Sequence, residues 1–179
     1  MDSPIDFSQI QVQVLNNNHD TSLFNCGDAD INDFLRNEAL GWQEKKIAVT
    51  RVFISSKEIV GFYCSSADSI KLEQEEKQNE SNLDKKRIKE YPAIKIGRLG
   101  VSVRYQKKGL GRFILLWAIG HIEENLSKNI GVRFVTVDSY PDRIPWYERQ
   151  GFKRNLHKQY SNTENVSIRY CLYNPSKNI

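Results

Sequence analysis

A chain of 179 residues with 39% hydrophobic and 27% charged side chains has apolar material for one globular domain with its own core. Its longest apolar run, Phe113 to Ile119, falls well short of the roughly 20 residues a membrane span requires, and Met1-Asp2-Ser3-Pro4 lacks the basic start of a secretory signal, so a cytoplasmic protein without membrane contact is expected. The formal net charge of +4 hides an imbalance: residues 1–90 hold 11 Lys and Arg against 16 Asp and Glu, and residues 91–179 hold 15 against 6, which suits the second half to phosphates or nucleic acid.

Cys26, Cys64 and Cys171 form no Cys-x-x-Cys pair, and His19, His121 and His157 do not stand at metal-ligand spacing. Neither a disulfide framework nor a metal centre is expected, and packed, reduced cysteines outweigh a catalytic one.

In chain order, Ile10 to Leu15 alternates as a strand does, and the segment from Asp28 or Asp30 to about Gln43 carries Ile31, Phe34, Leu35 and Leu40 at helical spacing behind an Asp cap. Thr50 to Ser55 and Ile59 to Ser66 are β-rich runs around Ser56-Lys57-Glu58, which predicts a hairpin. Lys71 to Glu90 is almost wholly polar and reads as a solvated helix or mobile loop. Ala93 to Val103 is a long strand that leads through a glycine-bearing turn into an apolar helix. Arg133 to Ser139 predicts a strand, Arg143 to Gln150 a short helix ended by Gly151, and Val166 to Tyr173 a closing strand. The expected architecture is a single α/β domain over 1–179, a mixed sheet of six or seven strands flanked by helices, with a charged insertion at about 71–90.

The chemistry centres on Gln106-Lys107-Lys108-Gly109-Leu110-Gly111-Arg112, where a strand feeds a helix start. Unpaired N–H groups and the positive dipole end attract a pyrophosphate, glycine admits close approach, and Lys107, Lys108 and Arg112 add charge. The turn lacks the Gly-Lys-Ser/Thr of a P-loop and the Gly-x-Gly-x-x-Gly of a dinucleotide fold.

This turn resembles the cofactor motif of the GNAT acetyltransferases, Gln/Arg-x-x-Gly-x-Gly/Ala after a long strand. Pro145-Trp146-Tyr147-Glu148-Arg149-Gln150-Gly151-Phe152 is similar to the family's second landmark, a tyrosine in a short helix that leads to Gly-Phe. A nearer likeness is to the tRNA-acetylating toxins of toxin-antitoxin systems: Phe24-Asn25-Cys26-Gly27 before Ile31-Asn32-Asp33-Phe34-Leu35 resembles their opening segment. Gly97-Arg98-Leu99-Gly100-Val101 resembles their Gly-Arg-Leu-Ala-Val strand with one departure, at Gly100.

The resemblance implies a GNAT fold and acetyl-CoA as cosubstrate, held by backbone groups of Leu99, Val101 and Val103 and by Gln106, Lys107, Lys108, Gly109, Leu110, Gly111 and Arg112. Tyr147 would protonate the departing CoA sulfur. Arg98, a cation within an apolar strand, would position the acceptor or form a structural salt bridge, and Arg149, Lys153 and Arg154 would hold RNA phosphates, with Lys45, Lys46 and Lys158 as further cations.

A lysine amine, with a pKa near 10.4, normally needs a base, whereas an α-amine near 7.7 to 8.0 is partly neutral already. The strand Lys95 to Val101 offers no carboxylate, and no pattern singles out Asp138 or Glu148, which favours the α-amine of aminoacyl-tRNA. The implied partners are aminoacyl-tRNA, a cognate antitoxin and a second copy in a homodimer. Acetylation of a small amine, peptide or protein N-terminus, and noncatalytic CoA binding, remain the alternative readings.

Overall fold

The computed structural model describes residues 6–80, 83, 87–161 and 164–173. The chain forms β1 (Gln11–Val14), β2 (Val49–Ser55), β3 (Glu58–Ile70), β4 (Tyr91–Val101), β5 (Phe134–Ser139), β6 (Lys153–Arg154) and β7 (Val166–Cys171). They make one seven-stranded sheet in the order β1-β2-β3-β4-β5-β7-β6, with β4 and β5 parallel. The helices are α1 (Ala29–Asp33), α2 (Ala39–Glu44), α3 (Gln74–Asn79), α4 (Leu110–His121) and α5 (Ile144–Glu148). Two compact units emerge, the first comprising Met1–Ser66 and Ile96–His121, the second Ala67–Lys95 and Ile122–Ile179. No helix among the described residues is long and apolar enough to cross a membrane.

In the first unit the expected hairpin joins β2 to β3, with Ser56 and Lys57 both left-handed at φ 50° and 67°, as the twist of a tight antiparallel turn demands. Asp28 caps α1 by accepting the Ile31 N–H at 3.1 Å. The single helix expected through Gln43 is interrupted: Phe34–Glu38 is a π-helical turn in which Ala39 donates to the Phe34 carbonyl. That extra residue rotates the following face, and Phe34, Leu35 and Ala39 all become buried against Leu15, Phe24, Val52 and Phe62.

Gly100, the departure from the toxin strand, has a steric reason. A Cβ there would lie 2.7 Å from the Phe62 ring and 3.0 Å from Ile31, so the strand comes this close to α1 only as glycine. Leu110, Ile114, Leu115, Ala118 and Ile119 form the buried stripe of α4 at helical spacing.

In the second unit Ala93, Ile94 and Lys95 of β4 pair with Phe134, Val135 and Thr136 of β5, and β7 pairs antiparallel to both β5 and β6. Ile70, Leu72, Tyr91, Ala93 and Phe134 form its core.

The charged insertion departs from the expectation of a solvated segment. Its described part carries α3 behind a capping box in which Glu73 donates its N–H to the Glu76 carboxylate at 2.7 Å. Glu76 and Glu80 are only 3% and 6% exposed. Both face Arg169 of β7, whose guanidinium bonds Glu76 at 2.6 Å, Glu80 at 3.1 Å, the Asn155 side chain at 3.0 Å and the Arg154 carbonyl at 2.8 Å. Lys153 adds a second cation to Glu80 at 3.3 Å, so two buried carboxylates meet two cations. Lys85 and Lys86 of the same insertion lie outside the described residues.

Candidate active site

The strand–turn–helix of the first unit has the features an anion cradle requires. After β4, residues Val103–Tyr105 make one 3-10 turn, Lys107 takes φ 59° and Gly109 φ 87°, and α4 begins at Leu110. The left-handed Gly109 turns the chain so that the helix start is open, and the first helical N–H groups have no intrahelical acceptor. Lys107, Lys108, Gly109 and Arg112 are exposed, and the Lys107 ammonium has no partner among the described residues. Leu110 is fully buried and roots the helix, which leaves its backbone alone available to a ligand. These residues fit a pyrophosphate: donors, positive charge and a turn without a side chain at its tightest point.

Two of the expected contact residues are engaged differently. The Gln106 side chain donates to the Cys26 carbonyl at 2.7 Å and the Val101 carbonyl at 3.0 Å, so only its backbone remains for a phosphate. The Val103 N–H, expected to face the acetyl-CoA arm, donates to the Asn25 carbonyl at 2.8 Å. Both bonds end on Phe24-Asn25-Cys26-Gly27, a segment whose link to the turn is invisible in sequence because about 80 residues intervene.

Arg98 is held within the first unit. Its guanidinium lies 4.3 Å from the Phe34 ring centre and 5.2 Å from that of Trp42, and its Nε stands 3.6 Å from Asp30. Its side chain, 24% exposed, is thus stacked on aromatic rings and paired with a carboxylate of α1.

Tyr147 sits on α5 of the second unit, its ring edge-on to Trp146 and Phe152 at 4.7 and 5.4 Å between centroids. Burial pushes its phenol up to about 12 against the opposing charge of Arg143, so it stays protonated, and its hydroxyl has no hydrogen-bond partner among the described residues. A protonated phenol without a hydrogen-bond acceptor has a proton it could donate.

Of the cations assigned to RNA, Arg149 is exposed without a partner among the described residues, whereas Lys153 pairs with Glu80 and Arg154 with Glu148 at 3.2 Å. Asp138 accepts from the Lys95 ammonium at 2.8 Å beside Asp68, which itself accepts from Thr136 at 2.5 Å, in a polar cleft of about 580 Å³. Both carboxylates considered as bases, Asp138 and Glu148, are therefore ion-paired. Burial pushes all three thiols up, which keeps them protonated and poor nucleophiles. Among the described residues no group of three or more His, Cys, Asp or Glu could hold a metal ion.

A mixed seven-stranded sheet whose long fourth strand runs into a glycine turn and an open helix start is the arrangement expected of the GNAT fold. Residues 82–166 match the family model of the acetyltransferase (GNAT) domain. Its fold is similar to that of KacT, solved as a tyrosine-to-phenylalanine mutant, at 17% identity over 92% of this chain and 95% of that one, with a TM-score of 0.76. AtaT complexed with acetyl-methionyl-tRNAfMet is similar at 19% identity, 90% and 94% coverage and a TM-score of 0.76. AtaTR bound with AcCoA is similar at 18% identity, 92% and 94% coverage and a TM-score of 0.71.

Proposed function

We propose that this enzyme moves acetyl from acetyl-CoA to the α-amine of aminoacyl-tRNA and so acts as a translation-blocking toxin. The observation that carries the cofactor half is the exposed turn with left-handed Gly109 at an open helix start, flanked by an unpartnered Lys107. The CoA pyrophosphate docks on the turn N–H groups of Lys107 to Gly111, with charge from Lys107, Lys108 and Arg112. Backbone groups of Leu99 and Val101 orient the pantetheine arm. Because Val103 donates to Asn25, it has no place in that donor set.

The neutral acceptor amine attacks the thioester carbonyl, the C–N bond forms as the C–S bond breaks, the sulfur takes a proton from Tyr147, and the proton shed by the amine nitrogen passes through water to restore the phenol. A partner-free phenol held protonated suits that step. The ion pairs on Asp138 and Glu148 leave neither free as a base, which favours an acceptor already partly neutral, such as an α-amine. The likeness to AtaT complexed with acetyl-methionyl-tRNAfMet supports the same acceptor class. Arg149, with its unpaired charge, is the strongest of the proposed RNA contacts. A cognate antitoxin belongs to this reading, since AtaT has also been solved bound to the C-terminus of AtaR, and so do a homodimer and a cytoplasmic setting.

Labelled acetyl-CoA incubated with a panel of aminoacyl-tRNAs, peptides and polyamines tests the proposal. Label that enters aminoacyl-tRNA and is released as N-acetyl amino acid on deacylation is the expected result. Label confined to peptides or polyamines overturns the acceptor, and calorimetry without acetyl-CoA binding overturns the cofactor site.

A further inference from the structure

The segment before α1 does more than lead into a helix. Asn25 and Asn32 hold one another, the Asn32 amide donating to the Asn25 side-chain oxygen at 3.0 Å. That same oxygen accepts the Gly27 N–H at 2.8 Å, and the Asn32 oxygen accepts the Cys26 N–H at 2.9 Å. Arg36 ties the segment from the other side by donating to the Phe24 carbonyl at 2.5 Å. With its two asparagine side chains engaged within the segment itself, the backbone carbonyls of Asn25 and Cys26 are both taken by the cofactor turn, Asn25 by the Val103 N–H and Cys26 by the Gln106 amide. Gln106 bonds the end of β4 with the same nitrogen, so one side chain pins strand end, turn and brace together.

We propose that Asn25 and Asn32 are positioning residues for acetyl-CoA, acting through the Asn25 and Cys26 carbonyls to hold Val103 to Gln106 in the shape the pyrophosphate requires, and that acetyl-CoA binding and the order of α1 are thereby coupled. The reason is connectivity. Lys107 is held at φ 59°, a conformation a non-glycine residue keeps only when its surroundings impose it, and the residue just before it is anchored by the brace. Asn32 lies on α1, so a shift of that helix moves both asparagines and both carbonyls with it. By linkage, a ligand that favours the braced turn also favours an ordered α1.

This inference rests on the turn being the acetyl-CoA site, and the test separates the two. Calorimetry on the unaltered enzyme comes first, because no acetyl-CoA binding there defeats the site itself. With binding established, Asn32→Ala and Gln106→Met should each weaken acetyl-CoA about tenfold, within the usual range of coupling between linked sites. They should raise its KM while leaving kcat and the acceptor KM near the parent values. Gln106→Arg, which keeps N–H donors for both carbonyls, should recover most of the affinity. The Gln106 side chain is exposed, so that pair stays readable even if Asn32→Ala fails to fold. Hydrogen exchange should show acetyl-CoA protecting residues 25–33 in the parent and not in Gln106→Met. Unchanged affinity in Gln106→Met, equal losses in Gln106→Met and Gln106→Arg, or no protection of 25–33 in the parent overturns the proposal.

Discussion

The glycine turn and the insertion that carries α3 are both rich in charge, yet their charges meet opposite fates. Around the turn, Lys107 stays exposed and unpartnered beside an open helix start. On α3 and just beyond it, Glu76 and Glu80 are buried and matched by Arg169 and Lys153. The difference teaches that a charge is available to a ligand only if the fold has not already neutralised it. Polar groups left free are candidates for ligand contact, and matched ones hold or position the fold.

The strongest way to break this contrast is to remove a matched charge. Arg169→Met should destabilise the protein by about 3–5 kcal/mol, because two carboxylates lose their buried partner. Denaturant unfolding checks it, and a loss below about 1 kcal/mol, the range of exposed pairs, would place the cluster with surface ion pairs.

Next in size is a free polar group. Tyr147→Phe should lower kcat by at least about 100-fold, within the range of positioned proton transfer, with little change in acetyl-CoA affinity or stability. Since its phenol titrates only at about 12, the parent rate should rise as the acceptor amine loses its proton and hold its plateau through pH 10. A fall near pH 10 would mean an ordinary, exposed phenol.

A smaller effect is expected at Gly109. At φ 87° a valine is strained by about 1–3 kcal/mol even though the nearest atom to a new Cβ, on the Phe7 ring, lies 3.6 Å away. Gly109→Val should therefore weaken acetyl-CoA binding, read by calorimetry, while the melting temperature falls only modestly.

The smallest effect sharpens the comparison among the RNA cations. Arg149→Ala should reduce the salt-dependence slope of aminoacyl-tRNA affinity by about one, as the loss of one phosphate contact does. Arg154→Ala should change it less, because Glu148 already pairs with that guanidinium. Equal slopes for both variants would remove the distinction between free and paired cations.

Local patterns were readable wherever one segment carries its own physics. The glycine turn, the buried stripe of α4, the Asp28 cap and the β2–β3 hairpin depend on neighbours within a few residues, and the order of strands and helices followed from them. Several features were hidden. The π-helical turn at Phe34–Glu38 has no residue signature, the two-residue β6 is too short to show alternation, and β3 runs on to Ile70, four residues past the expected Ser66.

By itself, the sequence determined the α/β class, the glycine turn and the tyrosine helix, because backbone conformation and helix-end electrostatics there are set by contiguous residues. Only the tertiary structure decided which polar groups remain free. It turned Gln106 and the Val103 N–H toward the Asn25–Cys26 carbonyls, stacked Arg98 on Phe34, paired Lys153 and Arg154, and buried Glu76 and Glu80 against Arg169. Each of those partners lies far away in sequence or on another element, and whether a charge is solvated or neutralised depends on what the fold brings within about 3 Å of it, a distance at which pairing offsets the cost of leaving water.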